Sequence, residues 1–384
     1  MMEKHMEETE VKRRRKLPGW LETVIIVVVC FAVFMGGFAL LLGRDGIALV
    51  EGWLLARYIF VDEKADVSEA ADQALSGLVS GLGDRWSYYL DEESYQQTVT
   101  RRANNYVGVG ITVTYEREEG LLVQAVTAGG PAEAAGVAPG DIVIAVDGVS
   151  IAGEARYDAT PLIQGEEGTT VELTLLGVDG TERTVACARA TLRSPSAART
   201  MLEGNIGYVQ LSNFYSGSAD SFREEVDALI SEGAEALVID VRNNPGGYTS
   251  ELKKMLDYLL PEGPVFTEKS RWGRAKVYES DANCIDLPMV VLVNRDTYSA
   301  AELLAAQIRE SIGAPIVGEV TSGKGYYQIT YMLPNGGGMG LSSGTYCTGS
   351  GHSLIGEGII PDVELALSET EDNQLQAAVD LLKK

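Results

Sequence analysis

Histidine is nearly absent from this sequence: His5 and His352 are the only two among 384 residues. His5 precedes a long apolar run near the N-terminus, so a Ser-His-Asp triad would have to use His352, which lies in a glycine-rich stretch. The sequence therefore gives little support to a histidine base, and a nucleophilic serine would need another partner.

Cysteine is also scarce. The four cysteines form no C-x-x-C pair and no zinc-binding spacing, and Cys30 lies inside the apolar run. This excludes a dense disulfide framework and indicates no metal site, and we expect no metal or organic cofactor. A disulfide among Cys187, Cys284 and Cys347 is not indicated by the sequence, but it stays open.

Positive charge is the third deficit. The formal net charge is -24, and beyond residue 43 there are 25 Lys and Arg residues against 50 Asp and Glu residues. Because proteins that bind nucleic acids present clustered Lys and Arg to the phosphates, this balance argues against a nucleic-acid partner. An apolar content of 45% with 43 glycines is typical of a folded α/β protein with a substantial core.

A long apolar run lies near the N-terminus. Residues 20–43 (WLETVIIVVVCFAVFMGGFALLLG) are enough to cross about 30 Å of hydrocarbon as a helix. The basic segment 12–16 (KRRRK) before this run, with acidic residues after it, favours a cytoplasmic N-terminus. A cleaved signal peptide is the alternative, but the run is longer than usual and lacks a clear A-x-A site. We predict a cytoplasmic tail at 1–20 and a single-pass anchor in the cell membrane at 21–43, with the rest of the chain outside the cytoplasm.

The remaining chain changes texture twice. Residues 44–105 have helical apolar spacing, broken by the loop GLGDRWSYYL, and are predicted to form a helical cap or a dimerisation arm of a homodimer. Residues 106–190 consist of short β-type runs with glycine turns. In residues 191–384 strands and helices alternate, which predicts a mostly parallel sheet with active groups at the C-terminal ends of its strands. The predicted fold class is multidomain α/β.

The β-rich region contains a pattern that resembles a PDZ domain: YVGVGI at 106–111, followed by GGPAEAAGVAPGDIVIAVDG at 129–148. In that family a glycine-containing loop offers backbone N–H groups to the terminal carboxylate of a peptide, which adds to the sheet as a strand. Gly108 and Gly110 have no Cβ to obstruct such an approach. The resemblance implies that the substrate-binding residues are Tyr106, Val107, Gly108, Val109, Gly110 and Ile111.

Lys324 lies between two glycines in the stretch VTSGKGYYQ, residues 320–328. A phosphate-binding lysine would have a hydroxyl residue beside it and a helix after it, whereas this stretch continues as a β-type run. The other role of a lysine held in this way is that of a general base. It must then be neutral, and burial in an apolar site can lower its pKa far enough.

Ser299 is the candidate nucleophile for such a base. The buried-type strand VLVN ends at Asn294, and Ser299 lies at or near the start of the following helix. The N-terminus of that helix also directs free backbone N–H groups, such as that of Ala300, at developing negative charge.

Four motifs follow the PDZ-like segment in order: VIDVRNNPGG at 238–247, NRDTYSAAE at 294–302, GEVTSGKGYYQ at 318–328 and GEGIIPDVEL at 356–365. Together they resemble the C-terminal processing peptidases, also called tail-specific proteases, over most of residues 85–380. The resemblance implies a crotonase-like α/β serine protease core. The protein substrates of such an enzyme are recognised through their free C-terminal tails.

By position in these motifs, the nucleophile falls on Ser299, the general base on Lys324, and the glutamine that supports the lysine on Gln328. The implied oxyanion donors are the backbone N–H groups of Ala300 and of Gly246 in the Pro-Gly-Gly turn. The chain departs from the family pattern at two tyrosines. Tyr326 follows the second glycine of the lysine motif, and Tyr298, beside the nucleophile, affects the expected shape of the substrate pocket more than the chemistry.

Other interpretations of these residues remain. Asp240 and Arg242 end a strand and are interpreted as a structural ion pair rather than as catalytic groups. Gln328 could be an ordinary strand residue, and Ser299 only a helix cap. At the level of function, the alternatives to an extracytoplasmic serine endopeptidase are a catalytically inactive PDZ scaffold on the same fold and a crotonase-like acyl enzyme.

Overall fold

The computed structural model describes residues 18–62 and 64–383. The basic segment 12–16 and His5, on which part of the topology prediction depends, lie outside the described residues. The chain divides into two compact units, one ending at Leu78 and one beginning at Val79, and each is described by itself.

The first unit is dominated by helix α1 (Gly19–Ile59), which is kinked at Gly43, where φ is 64°. Within its segment Thr23–Ile59, a stretch of 18 residues has a mean hydropathy of 3.0 and contains no buried residue. The length and composition of this segment suffice to cross a membrane. The uncharged part of this helix, residues 23–43, is apolar on all sides and suits lipid better than water. This helix fits the expected single span.

The helices and strands are numbered along the chain. The further helices are α2 (Val67–Ser80), α3 (Glu92–Arg102), α4 (Pro131–Ala134), α5 (Thr160–Ile163), α6 (Ser218–Ser231), α7 (Thr249–Leu259), α8 (Ala300–Ile312) and α9 (Asn373–Leu382), with a 3-10 helix at Gly153–Asp158. The strands of the first half are β1 (Tyr88–Leu90), β2 (Asn105–Gly108), β3 (Ile111–Arg117), β4 (Gly120–Val126), β5 (Ile142–Val146), β6 (Val149–Ser150), β7 (Thr170–Leu176), β8 (Glu182–Ala188) and β9 (Ala190–Arg193). The strands of the second half are β10 (Ala197–Leu202), β11 (Ile206–Leu211), β12 (Ala236–Asp240), β13 (Gly263–Ser270), β14 (Ala275–Ser280), β15 (Met289–Val293), β16 (Ile316–Gly318), β17 (Tyr326–Met332), β18 (Gly338–Thr348) and β19 (Val363–Glu364).

A small antiparallel sheet forms the first part of the second unit. Its strand order is β3-β4-β5-β7-β8, with β6 paired to β5, and it closes over a core that includes Leu121, Val143 and Leu173. Strands β2 and β9 pair with each other just before and after it along the chain. This pairing brings the two ends of the segment together, as an inserted domain requires.

A six-stranded sheet in the order β10-β11-β12-β15-β16-β19 forms the larger core. Its strands from β11 to β19 are parallel, which confirms the α/β prediction. Successive side chains of a strand point to opposite faces. In β12, Leu237 and Ile239 accordingly join the cluster under α6, α7 and α8, whereas Val238 joins the cluster with Ala378 of α9. Each such buried aliphatic side chain contributes about 1.5–3 kcal/mol relative to exposure.

A second sheet is organised around the long strand β18, which pairs with β1, β13 and β17. Residues 88–90 belong to the segment predicted as a loop within the helical region, and they form strand β1. Glycines in β18 allow this pairing, because a Cβ at Gly340 would lie 2.3 Å from Cζ of Tyr88. Similarly, a Cβ at Gly338 would lie 2.3 Å from Cδ2 of Tyr95. The pairing brings the 84–102 segment to the core.

Candidate active site

Ser299 lies on the turn between β15 and α8, at the N-cap of the helix, as the sequence predicts. Its backbone has φ 65° and ψ -125°, a region that residues other than glycine rarely adopt. Such a conformation costs about 1–3 kcal/mol and persists only where the surrounding structure holds it. The half-buried side chain of Ser299 faces a cavity, and the first N–H groups of α8 have no partner within the helix.

The fully buried carboxylate of Glu302 holds this turn and the lysine loop together. Its Oε2 accepts hydrogen bonds from the backbone N–H of Ser299 at 2.9 Å and of Lys324 at 3.0 Å. Its Oε1 accepts from the backbone N–H of Gly323 at 2.7 Å and from the Thr321 hydroxyl at 2.5 Å. Burial raises the pKa of Glu302 above its usual range, and these hydrogen bonds oppose the rise.

Sequence reasoning missed Glu302, although a signal for it was present. Ser299 and Glu302 are spaced as S-x-x-E, the pattern of a capping box, in which the glutamate accepts from the backbone N–H of the cap residue. Tyr346 was also missed: its buried hydroxyl donates a hydrogen bond to the Lys324 carbonyl. The loop that carries the lysine is therefore held from both sides.

Burial and, after it, the positive charge of Arg102 lower the pKa of Lys324 to about 8, against the opposing effects of Glu302 and Asp84. The ammonium nitrogen Nζ lies 5.0 Å from the centroid of the Trp86 ring and 5.5 Å from that of Tyr298. Within the described part of the chain, Nζ makes no hydrogen bond to Ser299 or to Gln328. The lysine thus faces the same cavity as the serine without being paired to it.

The glycines beside Lys324 allow a neighbouring segment to pack closely. A Cβ at Gly325 would lie 2.3 Å from Cγ1 of Ile355, and a Cβ at Gly323, where φ is 74°, would lie 3.0 Å from the Gly358 nitrogen. The glycines therefore serve the packing of the 354–358 segment against the lysine loop.

Gln328 lies on β17 and lines the same cavity as Ser299 and Lys324. Its amide nitrogen Nε2 donates to the Tyr326 carbonyl at 3.1 Å and to the Ser342 hydroxyl at 3.3 Å. The cavity has a volume of about 850 Å³. Neither His352 nor the residues Asp240 and Arg242 line it.

Asp240 and Arg242 form a structural ion pair, as interpreted from the sequence. Arg242 is mostly buried and donates to Asp240 at 2.7 Å and to Asp372 at 2.7 Å, and these bonds raise its pKa against the effect of burial. Asp240 also accepts from the Tyr208 hydroxyl at 2.7 Å. The cluster fastens the start of α9 to the end of β12.

The Pro-Gly-Gly turn lies directly against Ser299. A Cβ at Gly246 would be 2.8 Å from Cβ of Ser299 and 2.9 Å from the Ala300 nitrogen. However, the Gly246 N–H donates to Oδ1 of Asn244 at 2.8 Å, so this donor is occupied, contrary to the expectation for an oxyanion site. The flanking Gly246 carbonyl and Tyr248 N–H both bond Phe214. The Gly246 carbonyl and the Gly247 N–H belong to one trans peptide, so the Gly247 N–H points away from Phe214, and Gly247 lines the cavity.

The PDZ-like loop borders a narrow groove of about 40 Å³. Five of the six expected loop residues line it, namely Tyr106, Gly108, Val109, Gly110 and Ile111, together with Val113, Thr160, Ile163 and Gln164. Val107 does not line it. Burial raises the pKa of the Tyr106 phenol.

The sequence left open a disulfide among Cys187, Cys284 and Cys347. All three are free thiols in this structure.

Two segments of the chain match known protein families. Residues 205–365 match the model described as Peptidase family S41, and residues 122–177 match the model described as PDZ domain. The S41 match contains the positions of Gly246, Ser299, Lys324 and Gln328.

Relatives with similar sequences extend over most of the chain. The carboxy-terminal processing protease CtpA of Bacillus subtilis (strain 168) is 30% identical over 312 residues, which cover 80% of this chain and 66% of that protein. The carboxyl-terminal-processing protease of Picosynechococcus sp. is 31% identical over 346 residues, which cover 86% of this chain and 84% of that protein. Among solved structures, the photosystem II D1 C-terminal processing protease is 27% identical, with a TM-score of 0.48 and coverage of 89% of this chain and 98% of that chain.

Proposed function

The chain belongs to the carboxyl-terminal-processing serine proteases of peptidase family S41, and we propose that it cleaves protein substrates with a dyad of Ser299 and Lys324. The observation that carries this proposal is the shared Glu302 oxygen, which ties the backbones of both residues to one point. A serine that served only as a helix cap would not need a lysine of lowered pKa facing the same cavity.

The base role of Lys324 depends on its lowered pKa. With a pKa of about 8, about one lysine in ten is neutral at pH 7, compared with about one in several thousand for an ordinary lysine. We propose that neutral Nζ leaves its position between the rings of Trp86 and Tyr298 when substrate binds and accepts the proton of the Ser299 hydroxyl. Catalytic hydrogen bonds of this kind often form only in the complex with substrate.

The reaction then proceeds by acyl transfer. The Ser299 oxygen attacks the scissile carbonyl, and the protonated Lys324 returns its proton to the leaving amine. A water molecule, deprotonated by the same lysine, hydrolyses the acyl-enzyme. Gln328 is proposed to hold Nζ in place through Oε1, since its Nε2 is already bound to Tyr326 and Ser342.

The developing oxyanion needs donors that are free. We propose the N–H of Ala300, at the start of α8, as the first. The N–H of Gly246 is already bonded to Asn244 and cannot serve as the second donor. We propose instead the N–H of Gly247, the next residue of the same turn, which points away from Phe214.

Substrate tails are proposed to dock by their C-termini in the groove beside Gly108 and Gly110, with α1 anchoring the enzyme in the cell membrane so that the protease lies outside the cytoplasm. No observation favours the inactive scaffold.

The membrane anchor can be tested separately, since washing membranes with alkaline carbonate should leave the full-length protein in the pellet. Recovery of a soluble form that begins near Arg44 would contradict a retained anchor.

The test of the activity uses the full-length chain in detergent with an unstructured protein such as casein. We expect fragments from the wild type and none from Ser299→Ala at equal concentration. Equal fragment yields from both proteins would overturn the proposal.

A further inference from the structure

We propose that the cavity at Ser299 contains a carboxylate-binding subsite formed by Arg85, Arg101 and Arg102, so that the enzyme prefers substrates with a carboxylate close to the scissile bond. This inference rests on the proposed protease function and adds a substrate class to it. Nothing in the sequence patterns pointed to these three residues.

The charge of the cavity is opposite to that of the chain. The chain carries a net charge of -24, yet the charged residues that line the cavity are three arginines, Lys324 and a single carboxylate, Glu268. Glu268 accepts a hydrogen bond from the Tyr278 hydroxyl at 2.9 Å. Asp84, which together with Glu302 raises the pKa of Lys324, accepts from the Ser87 hydroxyl at 2.6 Å and from the Trp86 N–H at 3.1 Å.

The three guanidinium groups bond only neutral acceptors in the described part of the chain. Arg85 donates to the Ser322 carbonyl at 3.0 Å, and Arg102 donates to the Tyr88 hydroxyl at 3.2 Å. Arg101 makes a long contact of 3.5 Å with the Thr98 hydroxyl. Each guanidinium has five N–H donors in a planar fork, so most donors remain available to a ligand.

The positions of the arginines are fixed by the fold. Arg101 and Arg102 end α3, and the buried Asn104 that follows donates to the Ser196 hydroxyl at 2.8 Å and to Asn213 at 3.1 Å. The Arg102 carbonyl accepts from the Ser216 N–H at 3.1 Å. We call the surface formed by Arg85, Arg101 and Arg102 the cationic wall. These contacts hold its Arg101 and Arg102 part against the core.

Arg85 is placed by a stacking contact. Its guanidinium carbon lies 4.1 Å from the centroid of the Trp86 ring, and that ring lies 6.0 Å from the ring of Tyr298, the residue before the nucleophile. Guanidinium groups with free forks recognise carboxylates in a bidentate manner. A substrate carboxylate at this wall would lie beside the bond that Ser299 attacks.

The carboxylate can come from two sources: an Asp or Glu side chain, or the terminal carboxylate of a short tail. Quenched peptides separate them. The first set tests the side chain: each peptide has an amidated C-terminus and carries either Glu or Gln at one position next to the scissile bond. The second set tests the terminal carboxylate: its peptides have neutral side chains and either a free or an amidated C-terminus. The full-length chain is assayed in detergent, and binding of the same peptides to Ser299→Ala is measured by fluorescence anisotropy.

We expect one Glu peptide or the free-ended peptide to exceed its neutral partner by about fivefold in kcat/KM, mostly through KM, and by a similar factor in binding. Arg101→Gln and Arg102→Gln should bring this ratio close to one, and added salt should reduce it. Because the ratio compares two substrates on one enzyme, it is independent of any change in the Lys324 pKa.

The matched control is Arg274→Gln, which removes the same charge from an exposed arginine between β13 and β14 that does not line the cavity. It should keep the wild-type ratio. Equal binding and equal rates for every matched pair in the wild type would overturn the subsite, while cleavage of the neutral peptides would leave the protease proposal intact. Binding ratios that persist in an enzyme without cleavage would instead retain the subsite and remove the proposed catalysis.

Discussion

Ser299 and Lys324 donate their backbone N–H groups to the same carboxylate oxygen, Oε2 of Glu302, at 2.9 Å and 3.0 Å. The proposed nucleophile and base are 25 positions apart in sequence and belong to different segments, yet a single buried atom sets the distance between their backbones. This arrangement predicts that Glu302 is a positioning residue, which acts through Ser299 and Lys324.

Glu302→Gln should therefore lower kcat with little change in KM. A glutamine amide presents only one acceptor oxygen to the four donors, and an unsatisfied buried donor costs about 1–3 kcal/mol, which corresponds to a loss of roughly 5- to 150-fold. Steady-state kinetics with a melting curve for each variant would measure it. The exposed Glu224→Gln on α6 is the control and should behave as wild type. A fully active Glu302→Gln would refute the positioning role.

Local sequence patterns predicted the two residues of the proposed dyad but not Glu302, which holds their backbones together. The strand-to-helix turn at Ser299 and the glycines around Lys324 are features of short segments, and the structure brings both side chains to one cavity. The S-x-x-E spacing could have identified Glu302, but a capping box alone does not predict that the glutamate also accepts from the distant Gly323 and Lys324.

The cationic wall could not have been predicted in this way. Arg85, Arg101 and Arg102 reach the cavity because β1 pairs with β18, a contact between residues about 250 positions apart. Tyr88 and Tyr89 favour a strand only where a partner edge is available, and the glycines at 340 and 337 supply the room for their rings. The expectation of a helical region at 44–105 missed this long-range pairing.

Ser299 and Lys324 should act as one unit. We expect Ser299→Ala, Lys324→Ala and the double variant to fall to a similar residual rate, because the losses of groups that act together do not add. Lys324→Arg should be equally inactive, since a guanidinium does not release its proton near neutral pH. His352→Ala should keep most of the activity. A folded Lys324→Ala that cleaves casein at near the wild-type rate would remove the dyad.

The pH dependence of kcat/KM should show the lysine directly. Only neutral Lys324 can accept the serine proton, so the rate should rise about tenfold per pH unit below the pKa of about 8 and level off above it. Arg102 is one of the groups that lower this pKa, after burial, whereas Glu302 and Asp84 raise it. Removing the positive charge in Arg102→Gln should therefore shift the rise to higher pH, and Arg274→Gln should not. An unchanged midpoint in Arg102→Gln would contradict this electrostatic contribution.

Gly246→Ala should abolish activity through contact with the nucleophile. The new Cβ would lie 2.8 Å from Cβ of Ser299 and 2.8 Å from the Tyr298 carbonyl oxygen, so the serine turn must move. A displacement of about 1 Å in an active site can cost on the order of 100-fold in rate.

Gly273→Ala is the matched control, because its φ of 76° nearly equals the 77° of Gly246 but nothing lies within 4 Å of the added methyl group. Both substitutions carry the backbone cost of about 1–2 kcal/mol for a left-handed alanine, which melting curves would register. Only Gly246→Ala should lose peptide cleavage, and a variant that melts like Gly273→Ala and still cleaves at the wild-type rate would show that the Pro-Gly-Gly turn does not constrain Ser299.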